Sequence, residues 1–109
     1  MNIQKKEISA KGIIFSAIVD GKKVGRSYLY LMHNDLHQRP FGLIEDVYVN
    51  ESFRGQKIGT KLIEAMILEA KIRDCYKLIM TSRYNRPKVH ELYYKLSFTD
   101  WGKEFRLNL

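Results

Sequence analysis

Between Leu43 and Ala70 the chain reads LIEDVYVNESFRGQKIGTKLIEAMILEA, and no other stretch limits the fold as tightly. It begins with strand-forming residues (Ile44, Val47, Tyr48, Val49), breaks at Asn50-Glu51-Ser52, and passes through Arg54-Gly55-Gln56-Lys57-Ile58-Gly59-Thr60 into a helical pattern. Ile58, Leu62, Ile63, Met66, Ile67 and Ala70 then fall on one stripe, with Lys61, Glu64 and Lys71 off it, so one helix face is expected in the core. The first turn of a helix has four amides without internal partners and carries the positive end of the dipole, so a phosphate can be held there. Gly55 and Gly59 allow close approach of the backbone to a ligand, and Arg54 and Lys57 supply neutralising charge. A plain connection with a solvated basic flank has the same local pattern, and these residues alone leave both readings open.

With 109 residues the chain is expected to be one domain, 1–109, with a single core. A hydrophobic share of 45% beside 28% charged residues argues against disorder. No apolar run approaches a membrane span and MNIQKKEISA has no apolar signal core, so a cytoplasmic location without membrane contact is expected. The single Cys75 cannot form an intramolecular disulfide, and the two histidines and the aspartate of one polar loop, His33, Asp35 and His37, have no further ligands fixed nearby, so no metal is expected. A net charge of +7 attracts nucleic acid, anionic membrane or a phosphate-rich ligand without choosing among them.

Upstream, Gly12 to His33 reads as a hairpin: a strand over Ile13–Val19, a turn at Asp20-Gly21-Lys22-Lys23, and a strand over Val24–Met32. Apolar residues on both faces of the second strand suggest that it is central or covered on both sides. Along Leu43–Val49, strict alternation places Leu43, Glu45, Val47 and Val49 on one face and Ile44, Asp46 and Tyr48 on the other. A carboxylate on each face of a central strand must be paired or line a cleft. Tyr76–Ser82 reads as a short buried strand, parallel to the central one because a long helix joins them. A second helix follows, with Asn85 as its expected cap, Pro87 in the first turn, and Val89, Leu92, Tyr93 and Leu96 on one face. Phe105–Leu109 alternates like a final strand. The expected fold is α/β (α+β): a mixed, mostly antiparallel central sheet with two principal helices.

Two separated patterns resemble the GNAT superfamily of N-acetyltransferases. One is Arg54 through Gly59, similar to the family's Arg or Gln, two residues, Gly, any residue, Gly or Ala, placed directly after a strand. The other is Arg86-Pro87-Lys88-Val89-His90-Glu91-Leu92-Tyr93-Tyr94-Lys95-Leu96-Ser97-Phe98, similar to a family pattern that ends Tyr-Glu-Lys-Leu-Gly-Phe. Lys57 and Ser97 stand where the family has Gly, and Tyr94 where it has an acidic residue. The resemblance covers Gly12 to Phe98 and implies a GNAT-like fold that binds acetyl-coenzyme A. It implies that Arg54, Gly55, Gln56, Lys57, Ile58, Gly59 and Thr60 cradle the pyrophosphate, that Val47 and Val49 lie along the pantetheine arm, and that Asn85 bonds the cofactor. It also implies Glu45 as the base that deprotonates an amine and Tyr93 as the acid that protonates the departing thiolate. Lys57 either begins the helix in ordinary backbone geometry and adds a phosphate contact, the favoured expectation, or crowds the cofactor with its side chain and weakens binding.

The function expected from this resemblance is acetyl transfer to an unidentified primary amine by direct attack in a ternary complex. The family's usual front segment of strand and helices, which helps to form the acceptor pocket, has only eleven residues to correspond to it, so an open site or closure by a homodimer partner is expected. A non-catalytic acyl-coenzyme A module is a second reading, prompted by Lys57 in place of glycine and by the missing acceptor wall. A small basic nucleic-acid binder ranks last, because the strands lack a glycine-aromatic RNA-binding signature.

Overall fold

A computed structural model describes all residues, Met1–Leu109. The chain divides into two compact units, Met1–Ile79 and Met80–Leu109. The first unit is a four-stranded sheet in the order β1-β2-β3-β4. Its strands are β1 (Lys11–Val19), β2 (Lys22–Met32), β3 (Phe41–Val49) and β4 (Leu78–Ile79), with helix α1 (Ile58–Ile72) between β3 and β4. β1, β2 and β3 pair antiparallel and β4 pairs parallel to β3, giving the mixed, mostly antiparallel sheet expected. The second unit contains helix α2 (Pro87–Lys95). No helix is long and apolar enough to cross a membrane.

The hairpin closes more tightly than expected. Val19 pairs with Lys22, so Asp20 and Gly21 alone form the turn, both at positive φ (50° and 78°), as a two-residue turn between twisted strands requires. One sheet face is the core. Val24, Ser27, Leu29 and Leu31 of β2 and Ile44 of β3 are buried there, against Leu62, Ile63, Met66 and Ala70 of α1. The helical stripe read from the sequence is therefore the stripe that packs. Ser27 is wholly buried, and its hydroxyl has no hydrogen-bond partner.

β2 is interior in the sheet order, the first of the two alternatives expected of it, with one face covered: Tyr30 is 37% exposed, and Ile14 on the neighbouring β1 is 59% exposed. Two expectations need correction. The strand expected over Tyr76–Ser82 shortens to Leu78–Ile79 and is not buried, because it pairs with β3 only at Gly42 and Leu43. Phe105–Leu109 forms no strand, since a strand needs a hydrogen-bonded neighbour and none is supplied within the chain.

Candidate active site

Alternation fails in the middle of β3. Between Arg26 and Tyr28 of β2 there is one residue, while between their partners Tyr48 and Glu45 there are two, so β3 carries a bulge, and Asp46 within it has φ +53°. A bulge shifts the side-chain parity by one. Ahead of it Leu43 and Glu45 lie on the open face, opposite Tyr30 and Tyr28; beyond it Tyr48 takes that face, opposite Arg26. Val49 pairs with Gly25 on the core side, where a Cβ on Gly59 would stand 3.8 Å from its Cγ2. The expectation that Glu45 shares a face with Val49, and Asp46 and Tyr48 a face with Ile44, is thus overturned.

Neither carboxylate is buried, so neither bears the desolvation cost expected of a central strand. Asp46 is the paired one: Arg26 Nη2 and Nε donate to its Oδ2 at 2.9 and 3.2 Å. That hydrogen bond raises the Arg26 pKa above its usual value. Glu45 makes no salt bridge and faces solvent beside Tyr28. Arg26 and Tyr48 were not legible as site residues. Arg26 lies 20 positions from Asp46, and the only local hint was an aspartate in a strand, a residue poorly suited to strands and tolerant of positive φ.

The turn into α1 is built on backbone geometry. Arg54 Nε donates to the Val49 carbonyl at 3.0 Å, and its guanidinium lies over the Tyr48 ring, 5.6 Å from the centroid. Gly55 takes φ +82° with open space around it. Lys57, contrary to expectation, is left-handed at φ 62° and ψ 22°, and it is the N-cap of α1. A side chain there opposes the carbonyl contact that glycine avoids, which gives a physical reason for glycine in the resembled pattern. No side chain caps α1, and the first helical bond is donated by Lys61 to the Lys57 carbonyl. The amides of Ile58, Gly59 and Thr60 are left for an external acceptor, with Gln56 exposed beside them. This donor set fits a phosphate group.

In the second unit Arg86, rather than Asn85, caps α2; Asn85 sits in the exposed turn ahead of it, because Pro87 starts the helix and extends the residue before it. His90 Nε2 stands 2.8 Å from the Arg83 carbonyl and 3.2 Å from Ser82 Oγ, tying this turn to the helix. α2 ends in a Schellman cap. Phe98 N donates to the Tyr93 carbonyl and Ser97 N to that of Tyr94, both at 3.0 Å, with Ser97 left-handed at φ 73°. The rings of Tyr93 and Phe98 complete it at 6.1 Å. Tyr93 is half-buried and burial raises its phenol pKa, with Arg86 opposing the shift, while Tyr94 is 56% exposed. Lys57 and Ser97, the two departures from glycine, both fall at positive φ. His33, Asp35 and His37 do not converge, and no group of three or more His, Cys, Asp or Glu side chains is placed to hold a metal; the His37 ring instead lies tilted against that of Tyr76, centroids 4.0 Å apart.

The chain is 37% identical over 71 residues to glucosamine 6-phosphate N-acetyltransferase of Trypanosoma brucei brucei, covering 65% of this chain and 46% of that protein. It therefore spans less than half the length of that curated relative. A solved putative acetyltransferase from Agrobacterium tumefaciens superposes with a TM-score of 0.84 at 28% identity, over 90% of this chain and 69% of the other. A solved Trypanosoma brucei acetyltransferase gives 0.77 at 30% identity, over 92% and 69%. The sequence model of the Acetyltransferase (GNAT) family matches residues 2–98, which takes in both helix starts, both left-handed departures and the β3 bulge. Over nearly its whole length, then, this chain belongs to the GNAT family of acetyltransferases.

Proposed function

We propose that the chain, acting as one domain over 1–109, is an N-acetyltransferase that moves the acetyl group of acetyl-coenzyme A to a primary amine by direct attack in a ternary complex. The observation that carries this reading is the uncapped start of α1, where three free amides follow a left-handed Lys57 and a tethered Arg54. Those amides, with Arg54, Gly55, Gln56 and Lys57, hold the pyrophosphate. β3 runs on from Ile44 to Val49 with no β4 partner, which leaves backbone groups near Val47 for the pantetheine arm. Val49 acts there through its carbonyl, which orients Arg54. Asn85, free of any capping duty, is a further donor to the cofactor.

Bound acetyl-coenzyme A supplies an activated thioester, whose C–S bond breaks as the C–N bond to the amine forms. Glu45, solvated on the open face, takes the proton of the amine directly or through a water. Tyr93 gives its phenolic proton to the leaving sulfur. Burial suits it to this task, because a raised pKa keeps the phenol protonated at neutral pH. Glucosamine 6-phosphate is the first acceptor to try, given the curated relative's substrate. Homodimerisation is part of the proposal, because Trp101, Phe105, Leu107 and Leu109 are each at least 82% exposed. A scattering mass that stays at 12.9 kDa at every concentration would remove it.

Calorimetric titration of acetyl-coenzyme A, with the 3′-dephospho analogue for comparison, tests the reading. Saturable binding followed by coenzyme A release with an amine supports it, and absence of binding ends it. Tyr93→Phe is expected to lower kcat by about 100-fold or more, the usual worth of a positioned acid. Wild-type turnover should also show an alkaline limb above the ordinary tyrosine value of about 10 that the variant lacks. Full turnover in Tyr93→Phe would remove the acid assignment.

A further inference from the structure

The bulge in β3 decides which residues reach the open face, and the fold must hold it there against two costs. An extra residue interrupts the β2–β3 ladder, and Asp46 occupies a left-handed conformation that costs more than extended backbone even for aspartate, which tolerates it better than most residues. A one-residue slip of the extra position along β3 would exchange the faces of the side chains it passes. Glu45 and Tyr48 are the residues next to that position.

The side chains around the bulge form one linked group. Arg26, on β2 opposite Tyr48, directs both Nε and Nη2 to a single carboxylate oxygen of Asp46. The same guanidinium lies 4.9 Å from the centroid of Tyr48, whose other neighbouring cation is Arg54. Arg54 in turn is tied to the Val49 carbonyl, directly before the turn into α1. With Arg26 35% and Asp46 54% exposed, the pair contributes little to global stability. Its geometry is nevertheless specific, since it joins the displaced residue of one strand to the facing residue of the next.

We infer that Arg26 and Asp46 are positioning residues: their ion pair pins the β3 bulge in register, so that Glu45 stands on the open face as the base, with Tyr48 beyond the bulge on the same face. Neither residue touches the reacting atoms. The catalytic part of this inference rests on the acetyltransferase reading above, whereas the register part does not.

The test compares Asp46→Asn, Asp46→Gly, Arg26→Gln, Arg26→Lys and the double variant Arg26→Gln/Asp46→Asn in the full chain, with Arg73→Gln as a control. That control breaks the surface pair between Arg73 and Glu69 on α1, away from β3. Asparagine and glycine both accept the left-handed backbone, so these variants remove the charge without adding strain. With glucosamine 6-phosphate and acetyl-coenzyme A as the assayed pair, Asp46→Asn and Arg26→Gln should each lower kcat by about tenfold, a modest misplacement of a catalytic group. KM for acetyl-coenzyme A should stay within about twofold, and melting should match the control. Arg26→Lys should recover part of the loss, and the double variant should be no worse than either single one, because both remove one interaction. Unchanged kcat in Asp46→Asn, or fully additive losses, would overturn the inference. Should the wild-type chain show no turnover with that pair, backbone amide shifts of Glu45 to Tyr48 still judge the register. Movement of those resonances in Asp46→Asn but not in Arg73→Gln supports pinning, and their constancy overturns it.

Discussion

The two helices begin in ways that look alike in sequence and differ in chemistry. Each follows a strand and a short basic turn, with Arg54 and Lys57 ahead of α1 and Arg83 and Arg86 ahead of α2, and neither has a side-chain cap. At α1 the first residues are Ile58, Gly59 and Thr60, all with amide hydrogens and no internal partner. At α2 the first residue is Pro87, which has no amide hydrogen, and the preceding turn is already tied down by His90. Positive charge ahead of the helix is common to both starts. What distinguishes α1 is a run of three free donors held in place by backbone geometry.

The largest expected effect sharpens that contrast. Arg54→Ala should weaken acetyl-coenzyme A binding by about 10- to 100-fold, the worth of charge-assisted hydrogen bonds to phosphate. Arg86→Ala should change it by less than about threefold, as for an exposed charge without a fixed contact; equal losses in calorimetry would break the comparison. Next comes the packing beneath the α1 start. A Cβ at Gly25 would lie 3.0 Å from the Tyr48 carbonyl oxygen and close to Ile58 and Leu62, so Gly25→Ala is expected to destabilise by about 1–3 kcal/mol in urea unfolding. An unchanged midpoint would mean that β3 yields more freely at its bulge than the contact implies.

Smaller effects concern the left-handed residues. Lys57→Gly and Ser97→Gly should each stabilise by up to about 1 kcal/mol, relief of strain being partly offset by the entropy of glycine in the unfolded chain. A loss of stability on either substitution would show that the side chain makes a contact worth more than the strain. Ser27→Ala should fall near zero or slightly stabilise, since it removes a buried hydroxyl that has no partner. pH acts on stability through Tyr93. A phenol whose pKa is raised by folding contributes stability fully below its unfolded value of about 10, and that contribution is lost as pH rises through the folded value. Chemical unfolding across that range should show a smaller loss in Tyr93→Phe.

Much of the site was legible because it depends on local rules. The stripe from Ile58 to Ala70 follows from helical periodicity, Asp20-Gly21 from the needs of a tight hairpin, and the glycine turn after Val49 from the chemistry of a helix start. The family patterns are what prompted the proposed roles of Glu45 and Tyr93, which periodicity alone would have left as a strand carboxylate and a core aromatic. Reading Lys57 as an ordinary helix start failed for a definite reason: a lysine codon is silent about φ, and only the path of the chain from Arg54 to Ile58 requires +62° there. Asn85 failed likewise, because a good capping residue was displaced by the proline two positions on.

Sequence by itself determined the order of elements as far as α2, the buried face of α1 and the family to which the chain belongs. These are properties of short windows, in which side-chain spacing and turn chemistry act over a few residues. Tertiary structure decided which way β3 faces. Its bulge depends on how Arg26, 20 residues earlier, meets Asp46 across the sheet, and on Gly25 and Val49 pairing over the core. Such register is set by contacts between strands, so one inserted residue can reverse the faces of Tyr48 and Val49 without any change in the local pattern that names them as strand.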